Sequence, residues 1–135
     1  MEEICFCIPA RFESSRLEHK LLLDLHGETC IRRTIKQVKQ SKFFNDNIYV
    51  LTDSSLIQKN IEDMGCHMII TSKDYRNGSE RISKNLSLVN SEFKYIVNIQ
   101  ADEPYISPRN IDFSIEKHLT IPSLFEATTL VIMMR

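Results

Sequence analysis

The stretch ICFCIPARFESSRLEHK, residues 4–20, falls into two halves whose contrast decides the fold. Residues 4–9 are a short apolar run ended by Pro9, the pattern of a buried strand. Residues 10–19, ARFESSRLEH, are polar and carry no period, which makes them a loop. Cys5 and Cys7 lie two apart within the apolar run, so in a strand they share one face. No matching Cys or His pair at ligand spacing follows them, and buried small hydrophobes are a better reading than half a metal site.

Downstream, apolar runs alternate with helical periods. Residues 21–25 (LLLDL) are a brief apolar run closed by His26 and Gly27. Ile31, Ile35, Val38 and Phe43 approximate helical spacing, with Thr29 available as a cap. NIYVLT (47–52) reads as a strand, and Asp53 or Ser54 as the cap of a helix that stops at Met64 and Gly65. Residues 67–71 read as a third strand, and the polar turn SKDYRNG leads to a helix over about 79–89. KYIVNIQ (94–100) is a fourth strand, residues 108–119 a helix, and 127–134 a last apolar strand.

Strands separated by helices at this spacing predict an α/β fold, a doubly wound and mostly parallel sheet. Continuous apolar strands fit a sheet covered on both faces. Ligands of such sheets sit at the C-terminal strand ends, which puts the functional load on loops 10–20, 52–54, 72–81 and 100–104. At 135 residues the chain, 1–135, is one domain, with 42% hydrophobic and 26% charged residues and a net charge of −1. The 17 basic residues are scattered among 18 acidic ones, so no nucleic-acid footprint is expected. The acidic start MEEICF lacks the form of a secretory leader, and no apolar stretch approaches a membrane span. A cytoplasmic location is therefore expected.

Three constellations lie on those loops. Arg11, Arg16 and Lys20 place three cations in ten residues beyond the first strand. Guanidinium groups grip phosphate oxygens in pairs and a lysine adds a point charge, so polyphosphate is a natural guest; a solvated basic loop has the same spacing. With only three glycines in the chain, a glycine-rich phosphate cradle is excluded. Gln100-Ala101-Asp102-Glu103-Pro104 ends the fourth strand with a carboxylate pair, which suits Mg²⁺ shared with substrate phosphates, or simply the start of a helix. Asn77-Gly78-Ser79-Glu80-Arg81 reads first as a turn into a capped helix.

Together these pieces resemble the 3-deoxy-manno-octulosonate cytidylyltransferases (CMP-Kdo synthetases). IPARFESSRLEHKLLLDLHG is similar to the family signature of the first loop, and LTD (51–53), NGSER (77–81) and VNIQADEP (97–104) match further motifs in order and spacing. The resemblance implies a Rossmann-like nucleotidyltransferase fold, truncated relative to the family. It implies a transfer of CMP from CTP to the acidic sugar, with pyrophosphate released, as in lipopolysaccharide biosynthesis. Arg11, Arg16 and Lys20 match the catalytic, triphosphate-binding cations, and Asp102 the magnesium ligand. Gln100 matches a residue reaching the nucleotide or sugar, while Asp53, Ser79, Glu80 and Arg81 match positions on the cytidine side. Implied partners are CTP and an acidic sugar, with a homodimer or another chain completing the enzyme, because the family's chains are nearly twice as long. The alternative is a truncated, inactive nucleotide-binding module.

Beyond length, the departures lie within the motifs. Glu18-His19-Lys20-Leu21 stands where the family has Pro-Gly-Lys-Pro, which sets an acid beside the phosphate lysine and loses a glycine. Ala101 stands at a family glycine and would be strained if that position required positive φ. Asn77 replaces a serine-like residue.

Overall fold

The computed structural model describes residues 3–13, 19–72, 74–120 and 130–134, the last five by their backbone. Strand β1 (Ile4–Ala10) is followed by the loop, a 3₁₀ turn (Lys20–Leu22) and a small hairpin of β2 (Asp24–Leu25) and β3 (Glu28–Thr29). Helix α1 (Cys30–Val38), β4 (Ile48–Thr52), α2 (Ser55–Ile61), β5 (His67–Ile70), α3 (Gly78–Ser83), β6 (Tyr95–Ile99), α4 (Pro108–Thr120) and β7 (Leu130–Met134) follow.

The main sheet has five strands in the order β5-β4-β1-β6-β7. β1 pairs in parallel with both β4 and β6, β4 pairs in parallel with β5, and β7 runs antiparallel to β6. The strand order reverses at β1, so the loops after β1 and β6 flank the switch point where ligands of such sheets bind. The expected last strand over 127–134 is described only from Leu130.

Alternation along β1 splits the core in two. Ile4, Phe6, Ile8 and Ala10 face one layer, packed with Ile31 and Ile35 of α1, Ile57 of α2 and Ile111 and Ile115 of α4. Cys5 and Cys7 face the other, against Leu51, Ile69, Ile96 and Ile82 of α3. Helices therefore cover both faces, and β1 is the buried centre. Truncating a fully buried side chain such as Phe6 costs about 3–5 kcal/mol.

The helix ends follow their caps. Thr29 accepts from Arg32 N–H, Ser54 from Leu56 and Ile57 N–H, and Asn77 from Glu80 N–H. Gly65, at φ 76°, ends the turn after α2 in the left-handed region that glycine adopts without penalty. The helix expected over 79–89 is shorter: α3 ends at Ser83 and a 3₁₀ turn (Leu86–Leu88) completes the connection. Asn85 breaks it, its amide turned back onto the carbonyl of Arg81.

Candidate functional site

The C-terminal ends of β1 and β6 open on a cleft of about 420 Å³, walled on the far side by the turn into α3. Pro9, Arg11 and Phe12 enter from β1 and its loop, Lys20 from the 3₁₀ turn, Asn77 to Ser79 and Arg81 from α3 and its cap, and Asn98, Gln100 and Asp102 from β6 and the turn after it. Arg16 lies outside the described residues, as does Glu18.

Each wall is placed by identifiable contacts. Gly78 lies so close to β1 that a Cβ there would sit 2.7 Å from Pro9 Cγ, which only glycine avoids. Arg81 is buried, 3% exposed. Its guanidinium donates to Thr71 Oγ1 and, at 2.8 Å, to Ser72 O, and it lies over the Tyr75 ring at 5.0 Å. Burial pushes its pKa down, while the nearby Asp53 carboxylate opposes that. A buried cation held by neutral acceptors lining a cleft is an anion-receptive feature. On the opposite side, Lys20 Nζ donates to Asp102 Oδ2 at 2.7 Å. The carbonyl of Ala101 accepts from Thr34 Oγ1 at 2.7 Å, which ties the loop carrying Asp102 to α1.

Asp53 and Glu80 do not reach the cleft wall. Asp53 Oδ1 accepts from Phe12 N–H at 3.0 Å, so it anchors the basic loop. Glu80 accepts from Arg76 N–H and Arg76 Nε, and those bonds, the backbone one first, hold its carboxyl below the usual carboxylate range. Ala101 is not among the described residues with positive φ, so the strain considered for alanine there does not arise. The cost of a lost glycine falls on His19 instead, at φ 54° and ψ 36°. Its ring stacks on Phe12 at 4.0 Å, which offsets part of the roughly 1 kcal/mol penalty of a non-glycine left-handed residue.

Residues 5–134 match the family profile described as Cytidylyltransferase. The chain belongs to the cytidylyltransferase family. It is 42% identical over 113 residues to the 3-deoxy-manno-octulosonate cytidylyltransferase of Chlorobium phaeobacteroides, covering 84% of this chain and 44% of that one. The Francisella tularensis subsp. holarctica enzyme of the same description is 37% identical over 113 residues, with 83% and 44% covered. The chain thus spans less than half the length of these curated relatives. A solved CMP:2-keto-3-deoxy-manno-octonic acid synthetase, complexed with CTP, superposes with a TM-score of 0.81 at 30% identity, covering 90% of this chain and 49% of that one. A cytidylyltransferase from Leptospira borgpetersenii superposes at 0.78 with 20% identity, covering 99% and 61%, and shares the fold.

Motif reading missed two features of this cytidylyltransferase cleft. Asn98 is buried in β6; its Nδ2 donates to Ser79 Oγ at 3.2 Å, and its Oδ1 has no hydrogen-bond partner among the described residues. The sequence signal was there, a lone amide inside the apolar run YIVNI. Tyr75, the platform under Arg81, carried no signal, because only the fold sets a turn residue against a helical arginine. No helix of the described residues is long and apolar enough to cross a membrane.

Proposed function

We propose that this chain is the nucleotide-binding half of an enzyme that transfers CMP from CTP to 3-deoxy-manno-octulosonate. One observation carries the reading: Arg11, Lys20, Arg81 and Asp102, from four separate segments, line one cleft at the switch point of a cytidylyltransferase sheet. The similar structure solved with CTP, and the names of the relatives, support CTP and the sugar as substrates.

In this reading Arg11, Arg16 and Lys20 neutralise the triphosphate, Arg81 supplies a desolvated positive charge, and Ser79 and Gln100 orient the nucleotide. The sugar's anomeric hydroxyl attacks the α-phosphorus. A new carbon–oxygen–phosphorus link forms as the α–β phosphoanhydride breaks, pyrophosphate leaves, and the hydroxyl proton passes to solvent. Such transfer depends on positioning and charge neutralisation, without a protein nucleophile. Asp102 is the residue that would hold Mg²⁺. A single carboxylate at a strand end suits an ion completed by substrate phosphates and water. When bound, Mg²⁺ would add charge neutralisation at the phosphates.

The sugar site, any homodimer contact and a completing chain lie beyond this half; a cytoplasmic role in lipopolysaccharide biosynthesis belongs to the same proposal. A second reading is a module that binds CTP without catalysis, for which the cationic cleft by itself suffices. Pyrophosphate release from CTP, Mg²⁺ and the sugar separates the two. Lys20→Ala and Arg16→Ala are each expected to weaken CTP binding about tenfold by calorimetry, the effect of losing one charge-assisted hydrogen bond, with circular dichroism unchanged. A folded protein whose melting temperature ignores saturating CTP with Mg²⁺ would sink both readings.

A further inference from the structure

The Lys20–Asp102 ion pair, on the side of the cleft opposite Arg81, joins residues 82 apart in sequence at 2.7 Å. The side chains are 37% and 36% exposed, so the pair is half-sheltered yet reachable from solvent. If the cleft takes CTP as proposed, on which this inference rests, the two members of the pair serve oppositely charged parts of the ligand. Lys20 is suited to phosphate oxygens and Asp102 to a cation. In the resting cleft each charge is committed to the other.

We infer that this pair is an autoinhibitory latch that keeps Lys20 from free polyphosphate. A polyphosphate without its cation must break the pair to reach Lys20, and then faces the carboxylate it has released. A lone cation meets the converse obstacle, since taking Asp102 strands Lys20 beside it. A polyphosphate carrying its cation satisfies both partners together, so the latch opens at little cost. The backbone behind Asp102 is tied by the Thr34–Ala101 hydrogen bond, and opening is therefore a movement of side chains. The other charges lining the cleft, Arg11, Arg76, Arg81 and Glu13, do not form this pair and remain in either state.

The test is calorimetric titration of CTP, in EDTA and separately with excess Mg²⁺, into wild type, Asp102→Asn, Asp102→Ser, Lys20→Met and the Lys20→Met/Asp102→Asn double variant. Thermal melts establish that each is folded. In EDTA, both Asp102 variants are expected to bind CTP about fivefold more tightly than wild type, the scale of a partly exposed ion pair. In the Lys20→Met background, Asp102→Asn should change affinity less than about twofold, because no pair remains to break. With Mg²⁺ the order reverses and wild type binds most tightly. An equal gain in both backgrounds would mean simple removal of a repulsive charge and would overturn the latch. So would no gain in EDTA from a wild type that binds CTP with Mg²⁺, which leaves the nucleotide reading standing. Absence of CTP binding in every variant with Mg²⁺ overturns both.

Discussion

The floor of the cleft, with Pro9 against Gly78 and the buried Arg81 and Asn98, is close-packed, whereas its rim of Arg11, Phe12 and Lys20, with His19 stacked behind Phe12, stands partly in solvent. The floor is made by apposed backbone and buried hydrogen bonds. The rim is held by a few single contacts: Phe12 N–H to Asp53, the Phe12–His19 stack and the Lys20–Asp102 pair. The difference is one of consequence under mutation. A close-packed region has no room to yield, while a loop tied at separate points loses those ties singly.

The contrast can be broken most severely at Gly78. Gly78→Ala drives a Cβ into the Pro9 ring, which cannot swing aside, and should destabilise the fold by about 1–3 kcal/mol. A urea midpoint that stays at the wild-type value would show that the floor is looser than its contacts imply. Thr34→Val comes next. It keeps the shape but leaves the buried carbonyl of Ala101 to the weak thiol donor of Cys30 at 4.0 Å, at a cost of about 1–2 kcal/mol by chemical denaturation. It should also weaken ligand binding through Asp102, and unchanged CTP affinity would detach that loop from the floor.

At the rim the effects move from stability to binding. Asp53→Ala releases Phe12 N–H, a half-buried donor, and is expected to cost about 1 kcal/mol of stability with a several-fold loss of CTP affinity. A loss of affinity with no change in melting would instead favour direct contact between Asp53 and the ligand. The smallest effect is set for His19→Gly. Relief of the left-handed backbone gains about 1 kcal/mol, and loss of the ring stack together with the added freedom of glycine offsets most of it. The net change in melting should fall within about 0.5 kcal/mol. A large loss would make the stack the principal anchor of the rim.

The α/β alternation was legible because the strands are short apolar runs bounded by turn residues, with caps such as Thr29, Ser54 and Asn77 at the helix starts. The loops beyond β1 and β6 were equally legible as the functional ends, since a parallel sheet leaves its C-terminal edge for ligands. Side-chain directions were not. Asp53 and Glu80 occupy motif positions, yet one braces the basic loop through Phe12 N–H, 41 residues away, and the other pairs locally with Arg76. Asn98 was visible as a polar residue within an apolar strand, but its link to Ser79 depends on α3 crossing β6.

The sequence by itself determined the alternation of the main-sheet strands and their helices, the family and which loops carry the charge, since these follow from periodicity and from motifs contiguous in the chain. Only the tertiary structure decided that Lys20 meets Asp102, that Gly78 must be glycine and that His19 bears the left-handed turn. Each of those depends on two segments meeting in space. The distance between them is set by packing of the whole sheet, which no local pattern encodes.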